Sequence, residues 1–275
     1  MLITFNSFNY FNFFIIGTCI GSFLNVVIYR FRNNYSIVRP RSFCPNCKTK
    51  LTWKENIPLI SYLIQRGKCI NCDIKISPRY PLVELTTGIF FMIFVNSSPS
   101  FFISNDHLFF NIIFSWSFLS LLICISLIDI YELWIPQGLI NFGFFSGILG
   151  LIFTGLINNQ YISLYPVIKG LISSVASFLI FEFLRYFSKF IFKKDAIGKG
   201  DSKLVAMLAL WLGPLGVLFA VGSSYIFAAI FCLVGISMNL LRYRQAIPFA
   251  PFLSLGGLFI WFLGNEFVLK KILNF

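Results

Sequence analysis

Long apolar runs decide what this chain can become. Residues 8–29, 108–128, 138–157 and 166–186 form four such runs, and others follow at 81–95, 204–221, from 225 to before Arg242, and from 247 to about Gly264. A helix crosses a bilayer with about 20 apolar residues. Within hydrocarbon every backbone N–H and C=O must be satisfied inside the segment, which makes helices of these runs. Only 12% of the 275 residues are charged, against about 25% in an average soluble domain. The sequence therefore reads as an all-α polytopic membrane protein with about eight transmembrane helices. No Lys or Arg precedes Arg30, so the first run lacks the basic flank of a cleaved signal peptide and reads as a span.

Charge orients the spans. Of 22 Lys and Arg, 11 lie between Arg30 and Arg79, six between Arg185 and Lys203, and two at Arg242 and Arg244. Positive charge gathered in alternate loops marks the cytoplasmic side. The loops at 96–107 and 158–165 carry no Lys or Arg and read as outside, with both termini; Lys270 and Lys271 breach the rule at the end of the chain. Gly222, Ser223 and Ser224 read as a tight outside turn between the sixth and seventh spans. The net charge of +12 thus follows topology and does not point to nucleic acid, although some cations suit anionic headgroups. Three parts result: a first span (1–29), a cytoplasmic loop domain (30–80), and a membrane-embedded remainder (81–275).

The loop domain holds two Cys-x-x-Cys pairs, Cys44 with Cys47 and Cys69 with Cys72, separated by 21 residues. Fifty residues build little core, and four thiolates at ribbon spacing suit a tetrahedral structural zinc. On the cytoplasmic side disulfides are disfavoured, which strengthens the metal reading.

Two aspartates lie on that same side. Asp129 ends the third span, and Asp201 opens the sixth within Gly198-Lys199-Gly200-Asp201. Ionisable residues at membrane spans are rare and mark function. Two carboxylates sharing a site can hold one proton between them, one acting as base toward water and the other protonating the leaving group. Helix dipoles favour the anion at Asp201 and disfavour it at Asp129. Each residue also has a simpler reading: Asp201 as a helix N-cap, Gly198 and Gly200 as loop glycines, Asp129 as a solvated helix end. The one histidine, His107, has no partner motif, which argues against a zinc protease. A transporter using both aspartates as proton or cation sites is a competitor, although midplane sites and internal repeats would then be expected; a non-catalytic membrane scaffold with a zinc loop is another.

Together these segments resemble bacterial prepilin peptidases, the type IV leader peptidases. The resemblance is carried in order by Gly21-Ser22-Phe23-Leu24-Asn25 through Arg30, by Arg41-Ser42-Phe43-Cys44-Pro45-Asn46-Cys47 and the second cysteine pair, and by Ser77-Pro78-Arg79-Tyr80-Pro81 through Glu84. It continues through Ile128-Asp129 with Ile135-Pro136, Gly198 through Leu204, and Pro248-Phe249-Ala250-Pro251-Phe252. It implies an aspartic endopeptidase of the bacterial inner membrane that cuts the basic leader from type IV prepilins or pseudopilins after a glycine. Asp129 and Asp201 would be its catalytic pair, with Gly198, Gly200, Lys203 and Pro136 as supporting positions. It also implies N-methylation of the new terminus with S-adenosylmethionine, an activity associated with the cysteine loop. Other Gly-x-Gly-Asp membrane proteases lack that loop and the N-terminal signature. One departure is Gln137, where the family usually carries an acidic residue, and this puts a supporting contact in doubt.

Overall fold

The computed structural model describes residues 7–33, 35–96, 108–157, 164–193, 198–242 and 245–264. Residues 97–107 and 158–163 of the two loops read as outside, Arg244, and the Lys270–Lys271 tail of the topology reading lie outside these residues. The described chain is helical: α1 (Ser7–Arg32), a short α2 (Ile60–Ile64), α3 (Arg79–Ile93), α4 (Leu108–Glu132), α5 (Gln137–Ile157), α6 (Tyr165–Phe192), α7 (Lys199–Ser237) and α8 (Ala250–Leu263). Five of these are long and apolar enough to cross a membrane. The chain forms two compact units, residues 1–96 and 97–275.

In the first unit α1 packs on α3 through small residues. A Cβ on Gly17 would come within 2.8 Å of the Gly88 Cα, and one on Gly21 within 2.8 Å of the Glu84 Cα. Gly17 and Gly21 are four apart and share one helix face, the small-xxx-small arrangement that lets membrane helices touch backbone to backbone. Between the two helices the loop is tied down by Arg30. Its buried guanidinium donates to the Ser36 carbonyl at 2.9 Å and to the carbonyls of Ile37 and Pro40, so this cation holds a loop and does more than mark a membrane side.

The second unit is built around the first arm of α7. Leu204 through Leu212 are at most 3% exposed, because this segment is apolar on every face and must be surrounded. Phe118 of α4 stacks between Trp211 of α7 and Trp261 of α8, with centroids 4.9 and 4.7 Å away. Both indole N–H groups find acceptors, Trp211 at the Gly143 carbonyl (2.9 Å) and Trp261 at the Ser115 hydroxyl (3.2 Å). Unpaired, each would cost about 1–3 kcal/mol in such a core.

The chain reverses inside α7, at Gly213, and not at Gly222–Ser224 as the sequence suggests. Gly213 has φ 74° and ψ 179°, and Pro214 follows. Adjacent residues of α8 show the reversal: a Cβ on Gly256 would meet the Ala220 carbonyl, and one on Gly257 the Leu208 side chain. On a straight helix Leu208 and Ala220 would be about 18 Å apart. The conformation at Gly213 is open only to glycine, and proline has no N–H to continue the ladder. Gly222, Ser223 and Ser224 stay helical because both serine hydroxyls bond back to the Ala220 carbonyl. The eight apolar segments therefore stand, as α1, α3, α4, α5, α6, the two arms of α7, and α8.

Candidate active site

Asp129 lies in the last turn of α4 and is buried, at 5% exposure. The helix ends just beyond it at Leu133, whose φ of 51° turns the chain away and whose N–H returns to the Asp129 carbonyl. Asp201 is the third residue of α7. Gly198 is the N-cap, and its N–H donates to Asp201 Oδ2 at 3.2 Å. Asp201 is thus not the N-cap itself, although it serves the same helix end. Both aspartates line one cavity of about 670 Å³.

The supporting positions divide. Gly198, Gly200 and Lys203 line the cavity with the two aspartates. At Gly200 an added Cβ would lie 3.0 Å from the Ile135 side chain, a tight contact that Ile135 would have to shift to relieve. Pro136 stands apart from the cavity and starts α5, its carbonyl accepting the N–H of Leu139 and Ile140. The dipole argument from sequence also changes. Asp129 is at the unfavourable end of its own helix, but Asp129 Oδ2 accepts the Ala250 N–H at 3.0 Å. Ala250 is the first residue of α8, so a second helix presents its positive end to this carboxylate and offsets the first.

In the other unit the four loop cysteines converge. Their Sγ atoms all lie within 4.8 Å of one another, and Cys44 and Cys72 are 3.8 Å apart. A tetrahedron with metal–sulfur bonds of about 2.3 Å has edges of about 3.8 Å, so the donor set fits zinc. Each knuckle is folded the same way. The Cys44 N–H bonds the Thr49 carbonyl, as Cys69 bonds Ile74, and the turns pass through positive φ at Lys48 and Asp73. Bonds from the Thr49 hydroxyl and N–H hold the Cys47 thiol down to about 6, whereas burial pushes Cys44 up to about 11. A divalent cation would stabilise the thiolate that burial resists.

Comparison with known proteins follows this division of the chain. A family model described as the bacterial peptidase A24 N-terminal domain matches residues 15–97, and one described as the type IV leader peptidase family matches residues 116–233. The type 4 prepilin-like proteins leader peptide-processing enzyme of Escherichia coli O78:H11 is 33% identical over 268 residues, which are 88% of this chain and 89% of that protein. The chain belongs to the type IV leader peptidase family. A prepilin leader peptidase/N-methyltransferase of Neisseria gonorrhoeae is 30% identical, covering 94% of this chain and 91% of its own length. The Myxococcus xanthus protein of the same name is 37% identical over 74% of this chain, which spans 57% of that protein. No solved structure matches.

Gln137, the departure from the family pattern, makes side-chain contacts of its own. The Lys203 ammonium donates to Gln137 Oε1 at 2.5 Å, and Gln137 Nε2 donates in turn to Asn141. Two groups at the site had no functional signal in the sequence: one bonds Asp129 and the other lines the cavity. The Ala250 N–H is a backbone donor, announced only by Pro251 after it. Tyr225 also lines the cavity and reaches it because α7 folds back. On a straight helix it would be about 36 Å from Asp201.

Proposed function

We propose that this chain is a prepilin leader peptidase, an aspartic endopeptidase that removes the basic leader of type IV prepilins or pseudopilins after a glycine. The observation that carries this reading is one cavity lined by two aspartates from different helix ends, 129 and 201. One carboxylate takes a proton from water, whose oxygen bonds to the scissile carbonyl carbon. The other gives its proton to the departing nitrogen as the C–N bond breaks. Two carboxylates whose charges act on each other share a single proton readily, so both roles are filled at once. A prepilin carries its scissile bond between a basic leader and an apolar helix, at the cytoplasmic interface of the inner membrane, which is the side the charge pattern assigns to both aspartates.

A second activity belongs to this proposal: N-methylation of the newly exposed terminus, as the names of the relatives suggest. S-adenosylmethionine would supply an electrophilic methyl group, and the chain would hold the donor. Zinc at Cys44, Cys47, Cys69 and Cys72 would be structural, because four protein thiolates leave it no open position.

The test is prepilin cleavage in membranes carrying Asp129→Asn or Asp201→Asn. Each is expected to abolish processing, a loss of at least 10³-fold, with the protein still present at wild-type level. Full processing by either variant would sink the dyad, and a cation-transport role for the pair would then gain.

A further inference from the structure

The loop of the first unit carries apolar side chains on the wrong side for water. In α2 and its C-cap the half-buried residues are Ser61, Tyr62 and Gln65, which line a cavity, with the Tyr62 hydroxyl donating to the Ile76 carbonyl at 3.4 Å. Ile60, Leu63 and Ile64 form the opposite face and are 53%, 73% and 76% exposed. A helix in water buries its apolar stripe and wets its polar one; α2 does the reverse. Trp53 caps the 3-10 turn Lys54–Asn56, which packs on α2, and it too is exposed, at 73%. All four residues lie in the loop between α1 and α3, outside the transmembrane runs, so a place within a span does not explain their exposure.

The anchoring of α2 indicates what covers that face. The N–H of Leu59, the residue before α2, donates to Glu84 Oε2 at 2.8 Å. Glu84 is buried in the second turn of α3, and the Ser22 hydroxyl of α1 donates to it as well. Side chains on a helix lean toward its N-terminus, so α2 starts beside the first two turns of α3. The exposed apolar stripe of α3, Leu82, Leu85, Ile89 and Ile93, begins at that level. That is the depth at which the two apolar helices meet the headgroups. Charge agrees with this placement. Residues 30–79 hold 11 Lys and Arg against two acids, Glu55 and Asp73. The Lys54 ammonium lies 5.6 Å from the Trp53 ring centroid, and the exposed Arg66 and Lys68 follow α2 directly. Basic side chains at this depth are drawn to anionic headgroups, and indoles settle there. Four side chains fall short of the roughly 800 Å² that a stable protein interface buries on each partner, but they suffice for a shallow insertion.

We propose that the Ile60, Leu63 and Ile64 face of α2, with Trp53 beside it, docks on the acidic phospholipid surface of the bilayer that holds α1 and α3. The four apolar side chains enter the headgroup region, and Lys54, Arg66 and Lys68 meet the phosphates. The loop is then held at the membrane by a third contact, besides the two helices that carry it. This docking does not depend on the reaction assigned to Asp129 and Asp201.

The full chain in lipid nanodiscs tests it, with Trp53 as the probe. Wild type and Trp53→Phe differ by one indole, so the difference between their emission spectra reports Trp53. In discs of phosphatidylglycerol and phosphatidylcholine, brominated acyl chains should quench that share at least twofold, and aqueous acrylamide should leave it nearly untouched. Free quenching by acrylamide, with none by the brominated lipid, would overturn the docking. Equal lipid quenching in discs of phosphatidylcholine alone would overturn the assignment to acidic lipid. Leu63→Glu with Ile64→Glu, at two exposed positions and measured the same way, should lose the lipid quenching with metal content unchanged; retained quenching would overturn the part given to α2. Shielding of Trp53 that appears only with added prepilin, or only with two chains per disc, would give the face to the substrate or to a second copy and overturn the proposal.

Discussion

At the scale of single residues, the exchange of an acidic side chain for Gln137 costs the site less than its charge suggests. An amide oxygen still accepts from Lys203. The pair is exposed, so its coupling should be small, about 0.5–1 kcal/mol. A double-mutant cycle of Gln137→Ala and Lys203→Ala on cleavage rate is expected to show coupling of about two- to fivefold. Additive effects would mean that the contact does not survive in the working enzyme. The motif residues themselves were legible in sequence, since an aspartate beside two glycines between apolar runs has few local explanations. Their backbone partners were not, because an N–H donor such as that of Ala250 has no side-chain signature.

At the scale of elements, the placement of one turn decides what faces the cavity. Turn chemistry in the sequence pointed to Gly222-Ser223-Ser224, three small residues in a row, and passed over Gly213-Pro214. Serines lose their turn-forming character when their hydroxyls bond a carbonyl three or four residues back, as Ser223 and Ser224 do. Gly213→Ala should destabilise the protein by about 1–3 kcal/mol, because its backbone conformation excludes a side chain. Gly222→Ala should be neutral or stabilising by up to about 1 kcal/mol, since a Cβ there meets nothing within 4 Å and glycine is costly inside a helix. Thermal unfolding in detergent reads both; the opposite order would return the turn to Gly222. The contact of α1 with α3 was carried by glycines already visible in the sequence, but which helix they would meet was not.

At the scale of the whole molecule, the division into units separates two chemistries. The carboxylate cavity belongs entirely to residues beyond 97, and the thiol cluster entirely to residues before it. Purified protein should therefore carry one zinc per chain, and Cys44→Ser with Cys72→Ser should abolish it by metal analysis. The same change should open residues 30–80 to limited proteolysis, because fifty residues have little core to replace the metal. Prepilin cleavage should fall far less than in either aspartate variant. Equal loss of cleavage would show that the loop serves the peptidase as well.

The sequence by itself determined where the apolar helices lie and which four thiols cluster. These follow from local physics: a segment in hydrocarbon must satisfy its own backbone, and four thiols in two short knuckles bring their donors with them. Only the tertiary structure decided that Asp129 and Asp201 share a cavity and that α8 points its N-terminus at Asp129. Such pairings depend on which small residues let two helices approach and on where a single glycine turns the chain back. Hydrophobic runs are alike to every partner and do not encode that choice.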